Sequence, residues 1–342
     1  MRGSKEEVSI MAGRIFVTGD CHRKFNKLTT KGFPQQKELD KDDCLIVCGD
    51  FGGIWDEDES ADEIWWMNWL DELNFTVLFV DGNHENFDRL YSFPVEDWKG
   101  GKVHKIRPSV IHLMRGQIYE ICGKKIFTMG GASSHDVSGG ILDMDDPEYR
   151  AKKKELDQGW EPYRINHLSW WKEELPSEDE LKEARDNLAK YNNKVDYIIT
   201  HCCSSSTQDA LAGKGLFKTD VITDFLDEVK TKCKFSKWYF GHYHDNINVN
   251  DKEVLLYDKI VELGEEIAAP TVGHPRYKRD DKVAFEMYYK GELVRVEGFI
   301  EIVDAWGTFG QAEEPSYDIM VVLPDGVECL VKHVEESAIL NE

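Results

Sequence analysis

The chain has 342 residues, 41% of them apolar, which is enough to bury a real core and excludes wholesale disorder. Its 65 acidic against 42 basic residues give a net charge of −23, which repels nucleic acid and anionic membrane at long range and argues against strong duplex DNA binding. No apolar run approaches the roughly 20 residues needed to cross a bilayer, and the eight cysteines contain no Cys-x-x-Cys pair, so free thiols in a reducing, cytoplasmic setting are expected.

Residues 1–11 lack the apolar stretch of a secretory signal and read as a leader, disordered or added, with Met11 as a natural start. Beyond it, runs rich in β-branched and aromatic residues recur at 14–18, 44–48, 76–80, 110–113, 125–129, 196–200 and 237–240. Their continuous apolarity, with Cys44 and Cys48 as small core members, predicts strands covered on both faces. Between the second and third runs, the spacing of Ile64, Trp65, Asn68 and Leu73 predicts an amphipathic helix over 61–73. Val221, Phe225, Leu226 and Val229 predict another over 218–230. This alternation of strand and helix makes residues 12–268 an α/β sandwich domain.

Residues 136–194 interrupt the rhythm and read as a cap-like insertion. Within it, Ser177 and Glu180 form a capping box that opens a charged helix running to about Tyr191. The adjacent Trp170 and Trp171 are expected to pack the insertion onto the core. Residues 268–275 read as a connector. From Val283 the hydrophobic period falls close to two, which predicts a small β module at 269–342 without catalytic residues, suited to homo-oligomerisation or a protein partner.

Five of the apolar runs end in the same kind of punctuation. They are followed by Gly19-Asp20-Cys21-His22, Gly49-Asp50, Asp81-Gly82-Asn83-His84-Glu85, His201, and Gly241-His242-Tyr243-His244. Side chains just past the carboxyl ends of strands in an open α/β sheet converge on one crevice. A carboxylate offers two oxygens and can serve two cations, while neutral imidazole suits Zn, Mn, Fe or Ni. Two such ions can polarise a phosphoryl group and acidify water near neutral pH. Each motif alone is commonplace: Asp-x-His reads as a turn, Gly-Asp as a strand exit, and a single His as a surface residue. Their joint placement, each at the end of an apolar run, is what carries the reading.

In that order the motifs resemble the calcineurin-like metallophosphoesterase family, over about residues 14–263. The resemblance implies a four-layer α/β sandwich with two divalent metal ions, Mn foremost and Zn, Fe, Ni or Mg as alternatives. It also implies roles. Asp20, His22 and His244 would hold the first ion, Asp50 would bridge, and Asn83, His201 and His242 would hold the second. His84 would protonate the leaving group, with Glu85 orienting it. The sequence departs from the family where Gly-Asp usually continues to a second Asp; here Gly53 stands instead. Metal binding is expected to survive this with a different local network. Cys202 and Cys203 follow His201 in place of the usual prolines, and neither is needed as a ligand.

Other residues permit two readings. The stretch Gly130-Gly131-Ala132-Ser133-Ser134-His135-Asp136 either cradles a phosphate or is a turn into the insertion. Arg164 and His167 are weak candidates for substrate contact, whereas His104, His112, His274 and His333 read as structural or surface residues. The expected activity is hydrolysis of a phosphodiester or phosphomonoester on a small molecule, nucleotide or nucleic-acid end. The alternatives are a phosphoprotein phosphatase and a non-catalytic scaffold of the same fold. The complete ligand set argues against the scaffold, and the absence of an arginine pair near the first two motifs argues against the protein phosphatase.

Overall fold

A computed structural model describes residues 13–212, 218–267, 275–304 and 314–340. The expected leader, most of the expected connector and His274 lie outside these residues. The chain divides into two compact units, 1–267 and 268–342.

In the first unit the apolar runs become short strands. Six of them, β1 (Ile15–Thr18), β2 (Cys44–Cys48), β3 (Thr76–Val80), β4 (Val95–Trp98), β5 (Gly101–Arg107) and β6 (Val110–Leu113), belong to one sheet. Next, β7 (Gln117–Ile121) and β8 (Lys124–Met129) begin a second sheet, and β9 (Ile141–Leu142) and β10 (Arg164–Ile165) pair as a parallel ribbon. The second sheet is completed by β11 (Tyr197–Thr200), β12 (Lys237–Phe240), β13 (Ile247–Asn248) and β14 (Glu253–Leu255), after which β15 (Ile260–Glu262) returns to the edge of the first. The strand orders are β15-β1-β2-β3-β6-β5-β4 and β13-β14-β12-β11-β8-β7. The centre of each sheet is parallel: β1, β2, β3 and β6 in the first, and β8, β11, β12 and β14 in the second. Their carboxyl ends therefore open on the same side of each sheet.

The helices in chain order are α1 (Ala61–Asp71), α2 (Phe87–Leu90), α3 (Tyr149–Gly159), α4 (Glu178–Lys190), α5 (Ser205–Ala212) and α6 (Val221–Lys232). Phe16, Leu45, Val47, Val77 and Phe79 of the first sheet pack with Met67 and Leu70 of α1. Phe127, Met129, Ile198, Trp238 and Phe240 of the second pack with Leu181, Ala184 and Leu188 of α4 and with Phe225, Leu226 and Val229 of α6. Alternate residues on the opposite faces (Val17, Ile46 and Leu78, with Ile126, Ile199 and Tyr239) are just as buried. The result is the expected α/β sandwich of four layers, helix–sheet–sheet–helix, and it explains why the strands read as unbroken apolar runs.

The face of α1 differs from its sequence reading. Ile64 is 39% and Trp65 57% exposed, while Glu63, Met67 and Leu70 turn inward. Both sets satisfy helical spacing, and the buried one is disguised by its acid. Glu63 is buried because its carboxylate receives two bonds from the Arg89 guanidinium, at 2.6 and 2.7 Å. The capping box of Ser177 and Glu180 does open α4, which packs against β7 as part of the layer covering the second sheet. Trp171 is buried among the core residues of the first sheet.

The second unit is a four-stranded antiparallel meander of β16 (Lys282–Tyr289), β17 (Glu292–Asp304), β18 (Ser316–Val322) and β19 (Glu328–Glu335). Its period-two alternation places Phe285, Val296, Ile300, Ile319, Val321 and Val334 in a core of its own.

The α1 arrangement is testable. Glu63→Ala leaves the Arg89 charge without its buried partner and should lower the unfolding free energy by about 3–5 kcal/mol. Trp65→Ser on the solvent side of the same helix should change it by less than about 0.5 kcal/mol. Urea denaturation of both variants checks the pair, and the reverse order of effects would restore the face read from the sequence.

Candidate metal centre

Five loops at strand carboxyl ends build the site. The loop after β1 brings Asp20 and His22, β2 ends at Asp50, and β3 runs into Asn83 and His84. From the second sheet, β11 ends at His201, and β12 leads to His242 and His244. Asp20, His22, Asp50 and His244 offer ligand atoms within 4.8 Å of one another, and so do Asp50, His201 and His242. Asn83 joins the second group, its Oδ1 lying 3.3 Å from His201 Nε2. All seven residues singled out as ligands thus come together, with Asp50 common to both clusters.

The backbone makes this convergence possible. His22, Asp50, His242 and His244 have φ of 44°, 42°, 72° and 50°, the left-handed region that costs a non-glycine residue on the order of 1–3 kcal/mol. The strain is held by hydrogen bonds between loops. Asp50 O accepts the N–H groups of Cys21 and His22 at 3.0 and 2.8 Å, and Asp20 Oδ1 accepts His242 N–H at 2.9 Å. Asp50 Oδ1 accepts His84 N–H at 2.8 Å. Glycine is required beside the cluster: a Cβ on Gly49 would lie 2.1 Å from the His201 ring, and one on Gly82 would lie 2.0 Å from Asp50 Oδ1.

The electrostatics call for cations. Burial alone would raise the Asp20 and Asp50 carboxyls. For Asp20 the contacts with His22 and His244 prevail, and for Asp50 the neighbouring His201 does, so both are held well below the usual carboxylate range. Burial likewise opposes charge on His201, yet Asp50 and Asp20 outweigh it and lift the imidazole to about 9. Positive charge is what this pocket stabilises. Asp20 Oδ2 is buried without a well-aligned donor. His22 Nε2 and His244 Nε2 stand 2.9 Å apart, close enough for both to serve one ion. His201 Nδ1 lies 2.9 Å from Cys48 O, so its N–H is directed to the carbonyl and Nε2 is left as the ligand atom. The residues therefore fit a pair of divalent cations, Asp20, His22, Asp50 and His244 around one and Asp50, Asn83, His201 and His242 around the other. Ions bound there supply Lewis acidity and lower the pKa of water.

The neighbours of these residues were read differently in the sequence, the 130–136 loop as a phosphate cradle or a turn and Arg164 as a candidate for substrate contact. The loop from Gly130 to Asp136 leads out of β8 toward β9, as the turn reading expected. Three consecutive residues of it each serve a neighbour. Ser134 Oγ takes Asn83 Nδ2–H at 3.3 Å, His135 Nε2 faces His242 Nε2 at 2.9 Å, and Asp136 Oδ1 binds Arg164 Nε at 2.7 Å. Glu174 backs the loop, accepting Ser134 N–H at 3.0 Å, Ser134 Oγ–H at 2.7 Å and Trp170 Nε1–H at 2.8 Å. The chain Glu174–Ser134–Asn83 fixes which end of the Asn83 amide points at the ligand cluster. Lys27 donates to Gly19 O, Asp20 O and Tyr257 O at 2.8, 2.7 and 2.8 Å, tying the first loop to the end of the second sheet. The sequence carried one usable signal, the glycine pair that starts the 130–136 loop just past β8.

Glu85 departs from its expected role. It does not reach His84; its buried carboxylate accepts Phe51 N–H at 2.8 Å and Gly52 N–H at 3.3 Å. It thereby braces the loop that lacks the second acid. His84 is set instead by Asp50, by Trp55 stacked at 5.8 Å and by Arg164, whose Nη2 lies 3.2 Å from Nε2. Behind the site, Asp81 is held by Arg115 and His112, and His112 by His104, all buried, so these two histidines are structural. His167 pairs with Asp88 at 2.8 Å. Cys202 and Cys203 are buried free thiols and take no part in the ligand clusters.

A four-layer α/β sandwich with an Asp/His cluster of this kind across its strand ends is the arrangement of the metal-dependent phosphoesterase class. The sequence profile of the calcineurin-like phosphoesterases matches residues 13–246, and the chain belongs to that family. It is also similar to lariat debranching enzyme A of Xenopus laevis, at 22% identity over 250 residues. The match takes in 68% of this chain and 42% of that protein, so the chain spans less than half of its relative's length. The family is dinuclear-metal dependent and hydrolyses phosphoester bonds, and the Asp/His clusters of this chain are able to bind metal. Among the described residues no helix is long and apolar enough to cross a membrane.

Two variants separate ligand from support. Asp50→Ala should abolish binding of both ions, read as metal per chain by elemental analysis, because its oxygens serve both clusters. Ser134→Ala should keep the fold and weaken one of two sites by about 10–100-fold, the usual effect of losing a ligand's hydrogen-bond partner. A metal titration of Ser134→Ala with two unchanged affinities would remove Ser134 from the site.

Proposed function

We propose that the chain hydrolyses phosphodiesters or phosphomonoesters of small molecules, nucleotides or nucleic-acid ends, with two divalent ions, Mn foremost. The observation that carries this reading is the complete set of seven ligand side chains with His84 beside the shared Asp50. A cleft of about 430 Å³ lined by Asp20, His22, Lys24, His84, His244 and Tyr257 leaves the cluster open to a substrate of modest size. The net charge of −23 weighs against long duplexes. The eight unpaired thiols support a reducing, cytoplasmic setting. The second unit has a core of its own, which fits an assembly or partner-binding role.

The chain's own residues account for the remaining steps. The clustered histidines and carboxylates hold the positive charge that receives the phosphoryl oxygens. Asp50 Oδ1 anchors the backbone of His84, and Trp55 stacks on its ring, so the imidazole is presented to the cleft in one orientation. From there it can deliver a proton to the departing oxygen. Burial, reinforced by Arg164, holds its pKa below the ordinary histidine value, opposed by Asp50, so the ring is neutral in the free site and must take up the proton it delivers when the negative charge of the substrate comes beside it.

Two assays test this. Bis-p-nitrophenyl phosphate and p-nitrophenyl phosphate, each with Mn, Zn, Ni and Mg, decide between diester and monoester preference and name the effective metal. Turnover of neither ester with any metal would overturn the proposal. His84→Ala should retain metal and lose about 10²–10⁴-fold in kcat on an alkyl ester, the usual contribution of a positioned acid. The loss should be smaller on a p-nitrophenyl ester, whose leaving group departs unprotonated. Equal losses on both esters, or loss of metal, would make His84 a ligand or a positioning residue.

A further inference from the structure

We propose that Arg164 is a catalytic residue that contacts the phosphoryl group of the substrate beside His84, an inference that rests on the phosphoesterase reading above. Arg164 lies at the start of β10, far in sequence from every ligand, yet its guanidinium reaches the edge of the metal cluster. Its side chain is 8% exposed. Nε donates to Asp136 Oδ1 at 2.7 Å, Nη1 to Ser169 O at 2.9 Å, and Nη2 to His84 Nε2 at 3.2 Å. A guanidinium carries five N–H groups, so three contacts leave two donors on the Nη atoms. His84 in turn lies against the cluster, its ring centroid 4.8 Å from that of His22 and its backbone on Asp50. A phosphoryl group seated on the Asp/His cluster therefore meets the Nη edge of Arg164.

The other arginines of the surrounding loops are turned to different tasks. Arg23 places Nη1 and Nη2 on the carboxylate of Asp56, and Arg115 places Nε and Nη2 on Asp81. Arg164 is bound to its acid through Nε alone, which aims the Nη edge at His84. In this arrangement Nη2 has imidazole nitrogen as acceptor. An anionic phosphoryl oxygen is the stronger acceptor for a guanidinium and displaces it, which frees the Nε2 lone pair to take up a proton from solvent and carry it to the leaving group. One residue thereby holds the His84 ring in the unliganded site and takes substrate charge in the liganded one.

The residue is held for such a task. Asp136 follows Ser134 and His135, so the loop that supports two metal ligands also anchors this arginine. The ribbon is fastened from the other side: Trp171 is buried in the core and donates to Asp88 Oδ2 at 2.7 Å, and Trp170 donates to Glu174. A cationic group fixed before the substrate arrives loses little entropy on binding it.

Calorimetric titration of the metal-loaded protein with inorganic phosphate tests the assignment without relying on turnover. Arg164→Gln should weaken phosphate binding by about 10–100-fold, the usual effect of one charged hydrogen-bonding partner. Arg164→Lys should recover most of the affinity, while Arg185→Gln, remote from the site and paired with Glu228, should match the wild type. Metal content and Tm should be unchanged in all three. Phosphate affinity unchanged in Arg164→Gln, with slower ester hydrolysis, would confine Arg164 to positioning His84 and overturn the proposal. Loss of metal from both Arg164 variants would make it a structural brace and would overturn the proposal equally. A wild type that binds phosphate but hydrolyses no ester would count against the proposed reaction alone, since the phosphate affinities still report on Arg164.

Discussion

The architecture depends on where the Asp50 carboxylate is held. It sits at the end of β2 with φ of 42°, and its two oxygens have different neighbours. Oδ2 lies 3.6 Å from His22 Nε2, and Oδ1 lies 3.3 Å from His201 Nε2 and accepts the N–H of His84. Its own carbonyl ties down Cys21 and His22. One residue thus fixes the loops of three adjacent strands and faces a fourth from the other sheet. A carboxylate with two equivalent oxygens and a short side chain can do this; an amide, whose two ends differ, cannot serve both clusters alike.

Around that point the two sheets are clasped by ligands that support one another. Asp20 accepts the backbone of His242, and His201 donates to the carbonyl of Cys48. Gly131 N–H binds Asp81 O at 2.9 Å behind Asn83. Each bond crosses from one sheet's loops to the other's. Strained left-handed residues persist in such a place because the surrounding structure over-determines them. The same bonds keep two buried carboxylates close together, an arrangement that is unfavourable until cations neutralise it.

Reading the sequence found the residues that converge at the strand ends, but it gave their neighbours other parts: the 130–136 loop as a phosphate cradle or a turn, and Arg164 as a candidate for substrate contact. Asp20, His22, Asp50, Asn83, His201, His242 and His244 were legible because each follows an apolar run, and strand ends converge in this class of fold. Ser134, His135, Asp136, Glu174 and Arg164 obey no such rule. They come from an irregular loop and a two-residue ribbon, where neither period nor spacing reports direction. Glu85 shows the converse error: adjacency to His84 suggested a partner, but successive residues in a turn point apart, and its carboxylate took the Phe51 and Gly52 amides instead. The inward face of α1 was missed for a related reason, since Glu63 is buried only because Arg89 lies opposite.

The sequence by itself determined the strands, the layered class and which side chains end the strands that converge, because hydrophobic period and strand-end punctuation are local properties written in consecutive residues. It also determined the separate β unit, through the change of period after Val283. Only the tertiary structure decided which face of α1 is buried, that Glu85 braces the Asp50 loop, and that Arg164 meets His84. Those outcomes rest on hydrogen bonds and ion pairs between groups 26 to 80 positions apart. Polar side chains of that kind have several possible partners in a chain and acquire one only when packing sets the distances.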